Sequence, residues 1–406
     1  MAVGSGELGT LHRVDGVRIG VASAGIKKTG RIDTVVFELA EGSSVAGVFT
    51  LNAFCAAPVT LAKKHLAEVS PRYLLINTGN ANAGTGEIGM IDAKSSCAAL
   101  AAEVGVTAEQ ILPFSTGVIG EKLPVEKLIT ALPAAVGALS DNAWSQAASG
   151  IMTTDTRPKA TSRQIDINGR TITVTGISKG AGMIKPNMAT MLGYVATDAA
   201  IAPNILQEML DVAAEASFNR ITIDGDTSTN DSCVLVATGR AGGDVLSVSE
   251  GAVFNTLQKV FNEVFLELAH AIVRDGEGAT KFVAVEVDGA KDVTEALKVA
   301  YAVAESPLVK TALFASDPNW GRILAAIGRA GVDSLDVSTL TVHLGDVLIT
   351  ENGGRAQSYT EEAGAAVMKN AEIVIRINLH RGQHKETVWT TDFSYDYVKI
   401  NAEYRS

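Results

Sequence analysis

Two glycine-containing motifs have residue types and spacings that are typical of a catalytic or a cofactor-binding site. The first is G-x-S-x-G at Gly176, Ser178 and Gly180, which follows a strand-like run over 171–175 and has the pattern of a hydrolase nucleophile elbow. An elbow also needs a helix directly after the serine, and the glycines and proline that follow are poor material for a first helical turn. No histidine lies between positions 65 and 270, so a histidine base would have to come from a distant part of the fold. A serine nucleophile therefore stays an alternative interpretation.

The second motif, G-x-G-x-x-G at Gly84, Gly86 and Gly89, is typical of dinucleotide binding. It lies between a predicted strand over 73–77 and a predicted helix over 91–104. Six residues separate the strand from Gly84, whereas the dinucleotide fingerprint needs a tight turn that directs the helix N-terminus at a pyrophosphate. The spacing favours a plain glycine-rich connection over nicotinamide or flavin binding.

Acidic, histidine and cysteine residues give no pattern typical of a metal site. Asp224, Asp226 and Asp231 share one loop-like segment, DGDTSTND, which lacks the central glycine and the glutamate at position 12 of an EF-hand. The six histidines and three cysteines form no CxxC or HExxH motif. We therefore predict no metal and interpret these aspartates as hydrogen-bond acceptors of a loop.

Thr190 lies at a junction between a loop and a strand. It ends the segment KGAGMIKPNMAT, rich in glycine and small residues, and precedes a strand-like run, MLGYVA, over 191–196. The small residue Ala189 stands directly before it. Judged by residue types alone, Thr190 is a β-branched residue that begins a strand.

Strands and helices alternate along the chain and must position these segments. Runs rich in β-branched residues predict strands over 34–38, 45–50, 73–77, 171–176, 233–238, 282–287, 340–350, 372–378 and 387–392. The clearest helix spans 255–273, and weaker patterns predict helices over 91–104, 205–218 and 292–305. This order indicates an α/β or α+β layered fold. The alternation from about 282 onward predicts a second domain, so the predicted domains are 1–281 and 282–406.

Composition excludes several classes of protein. The 406 residues include 34 basic and 45 acidic side chains, a formal charge of −11, and 47% are hydrophobic. This aliphatic content excludes a disordered chain, and the acidic balance gives no basic footprint for nucleic acid. No apolar run approaches the roughly 18 residues of a membrane span, and residues 1–20 lack the apolar region of a secretory signal. We expect a soluble cytoplasmic protein without nucleic-acid or membrane partners.

The segment around Thr190 carries a family resemblance. The sequence KGAGMIKPNMATMLGYVATDA resembles the self-cleavage signature of the ornithine acetyltransferases, also called glutamate N-acetyltransferases. Further motifs resemble those of the family in the family's order: FCAAPV, NTGNANAGTG, PFSTGVIGE, IMTTDTRPK, ITIDGDTSTNDS, IVRDGEGATKF, SPLVKTA with SDPNWGR, and NAEYRS. The chain is therefore identified as a member of this family over essentially its whole length.

The resemblance implies a self-processing enzyme with an N-terminal nucleophile. The precursor cleaves itself between Ala189 and Thr190, which gives fragments 1–189 and 190–406. Thr190 is then the nucleophile, and its freed α-amine, with a reference pKa of about 7.7–8.0, is the base for its own hydroxyl. The Thr116 hydroxyl and the Gly117 amide resemble the family's oxyanion hole, which stabilises the charge of the tetrahedral intermediate.

The resemblance also implies substrates and their contacts. Acetyl passes from N-acetyl-L-ornithine to Thr190 and then to L-glutamate, a ping-pong reaction of arginine biosynthesis. The residues that match the family's substrate contacts are Thr153, Lys179, Thr190, Glu277, Asn401 and Ser406. Thr154 adjoins Thr153, and the choice between them stays open. Lys179 suits the substrate carboxylate and Glu277 the ornithine ammonium or the base amine, although on residue types alone both are typical of solvated surface groups.

For the fold, the resemblance implies a layered α/β sandwich of the αββα type with a smaller C-terminal α+β domain. It also implies an α2β2 heterotetramer, with two copies of each fragment. We expect no cofactor, and acetyl-CoA stays open as a second acetyl donor. The alternative function is an amidase or aminopeptidase that uses the same N-terminal threonine.

Overall fold

The computed structural model describes residues 2–185 and 191–403. Its strands are β1 (Val17–Ala22), β2 (Thr34–Leu39), β3 (Ser44–Phe49), β4 (Tyr73–Asn80), β5 (Ile111–Val118), β6 (Lys159–Ile167), β7 (Arg170–Lys179), β8 (Leu192–Thr197), β9 (Ser232–Ala237), β10 (Phe282–Ala290), β11 (Thr341–Leu344), β12 (Val347–Glu351), β13 (Gly354–Arg355), β14 (Glu372–Asn378) and β15 (His384–Thr391). Its helices are α1 (Ala57–Glu68), α2 (Gly86–Val104), α3 (Val125–Gly137), α4 (Trp144–Gly150), α5 (Pro203–Glu215), α6 (Ala252–Arg274), α7 (Val293–Ala304), α8 (Pro307–Phe314), α9 (Trp320–Gly328), α10 (Glu361–Met368) and α11 (Tyr395–Ala402).

Two sheets pack face to face in the N-terminal part of the chain. One has the strand order β1-β2-β4-β5, and the other has the order β3-β9-β8-β7-β6. Phe37 and Phe114 from the first sheet meet Tyr194 from the second, with ring centroids 5.5 and 5.3 Å from that of Tyr194. These aromatic rings form part of a continuous apolar core between the sheets, which holds the two sheets together.

Helices cover the outer faces of both sheets. In β4, Leu74 and Ile76 point into the core between the sheets, whereas Tyr73 and Leu75 pack into a separate core beneath α2 and α3. Both faces of the strand are therefore buried, which explains why its sequence is a continuous apolar run. On the second sheet α5 and α6 cover the outer face. The result is the predicted αββα sandwich.

The strands β7, β8 and β9 form the centre of the second sheet. β7 is antiparallel to β8, and Lys179 pairs with Leu192, so the last residue of one strand lies beside the first residue of the next. β8 is parallel to β9, with Leu192 opposite Ser232. The connection 180–191, which contains the predicted cleavage point, therefore leaves and re-enters the sheet at the same end. Ala189 and Thr190 themselves lie outside the described residues.

The C-terminal part forms a third sheet with its own core. Its strand order is β13-β12-β11-β14-β10-β15, and β10 is parallel to β14. Val285, Val299 and Ile375 belong to a core between this sheet and its helices. The sheet begins at Phe282, and the domain boundary after residue 281 stays a prediction. The single strand predicted over 340–350 is wrong: Gly345, with φ of 55°, turns the chain into the hairpin β11–β12. No helix in the described ranges is long and apolar enough to cross a membrane.

Candidate active site

One cavity of about 260 Å³ collects residues from distant parts of the chain. All six sequence-predicted site residues that the structure describes line it: Thr116, Gly117, Thr153, Lys179, Glu277 and Asn401. Thr154 lines it too, so the choice between Thr153 and Thr154 stays open. The remaining predicted site residues, Ala189, Thr190 and Ser406, lie outside the described residues. Met191, which follows Thr190 in the chain, is part of the cavity wall.

Thr116 and Gly117 enter the cavity from the end of β5 and not from a turn. On residue types alone this segment is typical of a turn, but β5 pairs in parallel with β4, with Thr78 opposite Thr116. The Lys179 Nζ donates a hydrogen bond to Thr116 Oγ1 over 3.2 Å. Because that oxygen accepts from the ammonium, the hydroxyl hydrogen of Thr116 is available to donate elsewhere.

Gly117 has a backbone that only glycine fits. Its φ is +134°, and a Cβ at this position would lie 2.3 Å from the carbonyl carbon of Gly79 and 2.5 Å from the amide nitrogen of Asn80. Both atoms belong to the backbone of β4 and cannot move away as a side chain would. The absent side chain thus allows the two strands to meet closely where the register shifts between Gly79 and Asn80.

Lys179 is buried at the end of β7. It is only 9% exposed, so the alternative of a solvated loop lysine is wrong. Burial lowers the pKa of its ammonium below the ordinary value, and the carboxylates of Asp155, Asp231 and Glu277 oppose part of that shift. A buried cation beside the cavity is well suited to bind a substrate carboxylate.

Beneath the cavity floor a buried ion network joins three segments. The Lys159 Nζ contacts Asp155 Oδ1 and Asp275 Oδ2, each at 2.6 Å, and all three side chains are inaccessible to solvent or nearly so. Asp155 also accepts from the amides of Thr153 and Gly180, at 2.9 and 2.8 Å. Burial raises the pKa of Asp155, but the ammonium groups of Lys159 and Lys179 outweigh it and bring the pKa below its ordinary value.

This network positions the residues that line the cavity, and sequence reasoning missed it. Asp155 and Lys159 lie in the motif IMTTDTRPK, and Asp275 lies in IVRDGEGATKF. Charged residues in otherwise glycine- and threonine-rich motifs are the signal from which the network could have been found. Its pairing across 116 residues of sequence is visible only in the fold.

Glu277 and Asn401 form a hydrogen-bonded pair on the cavity wall. Glu277 follows α6 and is 6% exposed, so the alternative of a surface carboxylate at a helix end is wrong. Its Oε2 accepts from the Asn401 Nδ2 over 2.7 Å, and its amide donates to the Ala181 carbonyl over 2.7 Å. A Cβ on Gly182 would lie 2.5 Å from the Glu277 carboxylate, so glycine leaves the room that this carboxylate occupies. The helix α11 thus brings the C-terminal segment to the site.

The acidic segment 224–231, between α5 and β9, begins and ends with an aspartate, and the two have different surroundings. Asp224 accepts from the amides of Met183 and Ile184, at 2.6 and 2.9 Å, as expected for a loop acceptor. Asp231 instead lines the cavity and is 3% exposed. Burial raises its pKa well above the ordinary value, against hydrogen bonds from Ser228 and the charge of Lys179. Across the described ranges, no group of three or more His, Cys, Asp or Glu could hold a metal ion.

The two glycine motifs have structural roles. Ser178 is fully buried in β7, and its hydroxyl donates to the Leu268 carbonyl over 3.4 Å. Because the serine lies within a strand that pairs on both sides, the nucleophile-elbow alternative is wrong. In the second motif α2 begins at Gly86, and a Cβ on Gly89 would lie 1.9 Å from Thr85 Oγ1, so these glycines form a close connection.

Comparison with known proteins shows the family of the chain. The family model of the ArgJ family matches residues 18–406. The chain belongs to the ArgJ family. Two curated proteins named arginine biosynthesis bifunctional protein ArgJ, from Pseudomonas syringae pv. tomato and Pseudomonas fluorescens, are each 63% identical to this ArgJ family chain over 406 residues, and the match covers both partners completely. The family predicted from the motifs is thereby confirmed.

Among solved structures, the arginine biosynthesis bifunctional protein ArgJ of Bacillus halodurans matches the chain at 39% sequence identity. The match covers 50% of this ArgJ family chain and 95% of the other chain, with a TM-score of 0.48.

Proposed function

We propose that this chain cleaves itself between Ala189 and Thr190 and then transfers acetyl from N-acetyl-L-ornithine to L-glutamate. The chain is an acyltransferase of arginine biosynthesis, in keeping with the named role of its ArgJ relatives. The observation that carries the proposal is the convergence of six motif residues, from positions 116 to 401, on one cavity. A concave cavity in which several polar and charged groups converge is the preferred candidate for a ligand site, and here these groups are the ones that match the family's motifs.

The first half of the reaction forms an acetyl ester on Thr190. The Thr190 amine takes the proton of the Thr190 hydroxyl, and the oxygen attacks the acetyl carbonyl of the substrate; the amide C–N bond then breaks, and ornithine leaves with that proton on its nitrogen. Negative charge develops on the carbonyl oxygen, where the Thr116 hydroxyl and the Gly117 amide donate hydrogen bonds. Support for this role comes from the Lys179 ammonium, which occupies a lone pair of Thr116 Oγ1 and leaves the hydroxyl hydrogen free to donate.

The remaining cavity residues bind the two ends of the substrate. Lys179 pairs with its carboxylate, and Glu277 receives the terminal ammonium of ornithine while Asn401 fixes the carboxylate of Glu277. L-Glutamate then attacks the ester and leaves as N-acetyl-L-glutamate. We expect the chemistry to use no metal or other cofactor, and acetyl-CoA stays open as a second donor of the acetyl group. Ser406 and either Thr153 or Thr154 complete the substrate contacts.

Self-processing is tested by denaturing gel electrophoresis with N-terminal sequencing. We expect a fragment that begins Thr-Met-Leu-Gly, the sequence from Thr190 onward. A single full-length band from an active preparation would refute the cleavage. Thr190→Ala should abolish cleavage and transfer together, whereas the control Ser178→Ala should be processed normally.

Transfer is tested by measuring ornithine release from N-acetyl-L-ornithine with and without L-glutamate. We expect release to depend on glutamate and N-acetyl-L-glutamate to form in equal amount. Release of acetate at the full rate without glutamate would contradict the transferase and would favour an amidase.

The same proposal includes an α2β2 assembly in the cytoplasm. Sedimentation of the processed enzyme should give twice the 42.2 kDa of one chain. A species of one chain mass would refute the assembly without affecting the chemistry.

A further inference from the structure

Asp231 is a carboxyl group in the cavity wall to which the proposed reaction has so far given no role. The residue is 3% exposed and lines the cavity. Its Oδ2 has no hydrogen-bond partner among the residues that the structure describes. A buried polar atom is costly to leave unpaired, so Asp231 is a cavity-lining carboxyl group whose hydrogen bonding is incomplete in the free protein.

The surroundings of Asp231 suit a group that changes its protonation state. The charged group that acts on its carboxyl is the Lys179 ammonium, which approaches from β7, and Ser228 of its own loop donates a hydrogen bond. Burial favours the neutral acid more than these two groups favour the carboxylate, and so raises the pKa of Asp231. Burial thus shifts Asp231 towards the neutral acid, while the Lys179 ammonium stabilises its carboxylate form.

Asp231 also lies next to the strand that Thr190 precedes. It comes directly before β9, and the amide of Ser232 donates to the carbonyl of Met191 over 2.9 Å. Met191 follows Thr190 in the chain. The residue after Asp231 and the residue after Thr190 are thus hydrogen-bonded to each other.

The two halves of the proposed reaction, on which this inference rests, differ in their proton balance. In the first half, the departing nitrogen keeps its own hydrogen and takes the proton of the Thr190 hydroxyl, which makes the amine of ornithine neutral. One more proton is needed for ornithine to leave as an ammonium ion. In the second half, L-glutamate arrives as an ammonium ion and must lose one proton before its nitrogen can attack. One half consumes a proton and the other releases one.

We propose that Asp231 is a further catalytic residue, the general acid of the first half-reaction and the general base of the second. As the C–N bond of the acetyl amide breaks and the ester to Thr190 forms, the Asp231 carboxylic acid gives its proton to the departing nitrogen. As glutamate enters, the Asp231 carboxylate takes a proton from its ammonium group. The new amide then forms as the ester breaks, the second proton of the nitrogen passes through the Thr190 amine to the Thr190 oxygen, and Asp231 is again a neutral acid.

The test compares Asp231→Asn, which keeps the shape and cannot exchange the proton, with Asp231→Glu, which retains an acid. For Asp231→Asn we expect kcat of acetyl transfer at pH 7 to fall by about 10²–10⁴-fold. The rate should then rise by about tenfold per pH unit, because neutral glutamate must come from solution. The KM of N-acetyl-L-ornithine should stay as in the wild type, and Asp231→Glu should keep the wild-type pH profile at a lower rate.

Rates are expressed per processed chain, measured on a denaturing gel, and the control is Asp226→Asn, an exposed carboxylate of the same loop. If Asp231→Asn shows the wild-type pH profile, Asp231 exchanges no proton and the inference is overturned. A folded but unprocessed Asp231→Asn chain would overturn it too, because Asp231 would then serve cleavage. If Asp231→Asn does not fold, the pH profile of Asp231→Glu decides. Wild-type protein that transfers no acetyl would instead refute the proposed function.

Discussion

Gly117→Ala tests the oxyanion role of the β5 terminus most directly. The added methyl group would lie 2.3 Å from the Gly79 carbonyl carbon and 2.5 Å from the Asn80 amide nitrogen, where real Cβ contacts require well over 3 Å. The backbone φ of +134° also disfavours any residue with a Cβ. Either β5 moves away from β4 or the peptide of residue 117 rotates, and both changes displace its N–H from the cavity.

The expected loss can be divided into a catalytic and a structural part. Removal of one oxyanion donor costs about 10²–10³-fold in kcat, or about 2.7–4 kcal/mol of barrier. Forcing a methyl group into a closely packed backbone contact lowers the free energy of unfolding by typically about 1–3 kcal/mol. Since the altered contact lies on β4 and β5 and not on the predicted substrate contacts Lys179 and Glu277, the KM of N-acetyl-L-ornithine should change little.

The assay measures kcat and KM for acetyl transfer on the processed fraction, together with urea unfolding of the same preparation. The matched control is Gly137→Ala at the end of α3, where a Cβ has no atom within 4 Å and φ is not positive. That control should keep both activity and stability. A folded, processed Gly117→Ala enzyme with kcat within about threefold of the wild type would refute the oxyanion role, because the predicted loss is at least tenfold greater.

Three further predictions concern the surroundings of the cavity. Lys159→Met leaves the buried carboxylates of Asp155 and Asp275 without their cation. It should lower the free energy of unfolding, measured by urea titration, by about 3–5 kcal/mol. An unchanged midpoint of urea unfolding would contradict a stabilising role for the ion network. Because the pKa of Asp155 is lower in the folded than in the unfolded chain, its contribution to stability is complete above about pH 4 and is lost as the pH falls through the lowered pKa. Wild-type stability measured between pH 5 and pH 2 should show this decline, and Lys159→Met should show less of it. Asn401→Asp places a second carboxylate beside Glu277, whose Oε2 now accepts a hydrogen bond from the Asn401 Nδ2 over 2.7 Å. This substitution should change the KM of N-acetyl-L-ornithine more than kcat. A KM equal to that of the wild type would show that Asn401 does not contact the substrate.

Elements with strong local patterns were predictable from the sequence. The apolar stripe that predicts a helix over 255–273 forms α6, which extends it by three residues at the start and one at the end. Phe261, Phe265 and Leu268 of that stripe are all buried, because a 3.6-residue spacing places them on one face. The strand predicted over 372–378 matches β14 in both bounds.

Elements whose stability comes from distant partners were not predictable. β5 contains Pro113, and a serine, threonine and glycine precede its last residue, Val118, so its local sequence is typical of a turn, yet parallel pairing with β4 makes it a strand. The helix α3 was missed in a similar way, because Pro133 lies inside it. Leu128 and Leu132 of this helix pack against the first sheet and offset the cost of the proline.

The motifs predicted which residues gather at the cavity but not how they act on one another. The order of motifs contains no distances, so the hydrogen bond from Lys179 to Thr116 and the pair of Asn401 with Glu277 required the fold. Asp231 is the clearest case. Its sequence neighbours are polar and typical of a solvated loop, but the sheet buries it beside a cation.

The strand order β3-β9-β8-β7-β6 has a consequence for the lifetime of the processed enzyme. The proposed cleavage after residue 189 would assign β3, β6 and β7 to one fragment and β8 and β9 to the other, so that strands of the first fragment flank those of the second within a single sheet. Before the cut, refolding is a unimolecular event whose rate does not depend on concentration. After the cut, two chains must meet and interleave their strands, so recovery from unfolding becomes a second-order process that dilution suppresses. The lifetime of the mature enzyme should therefore depend on how slowly it unfolds and not on how readily it refolds. Heating a dilute sample should inactivate the processed enzyme irreversibly, whereas an uncut Thr190→Ala chain should refold on cooling.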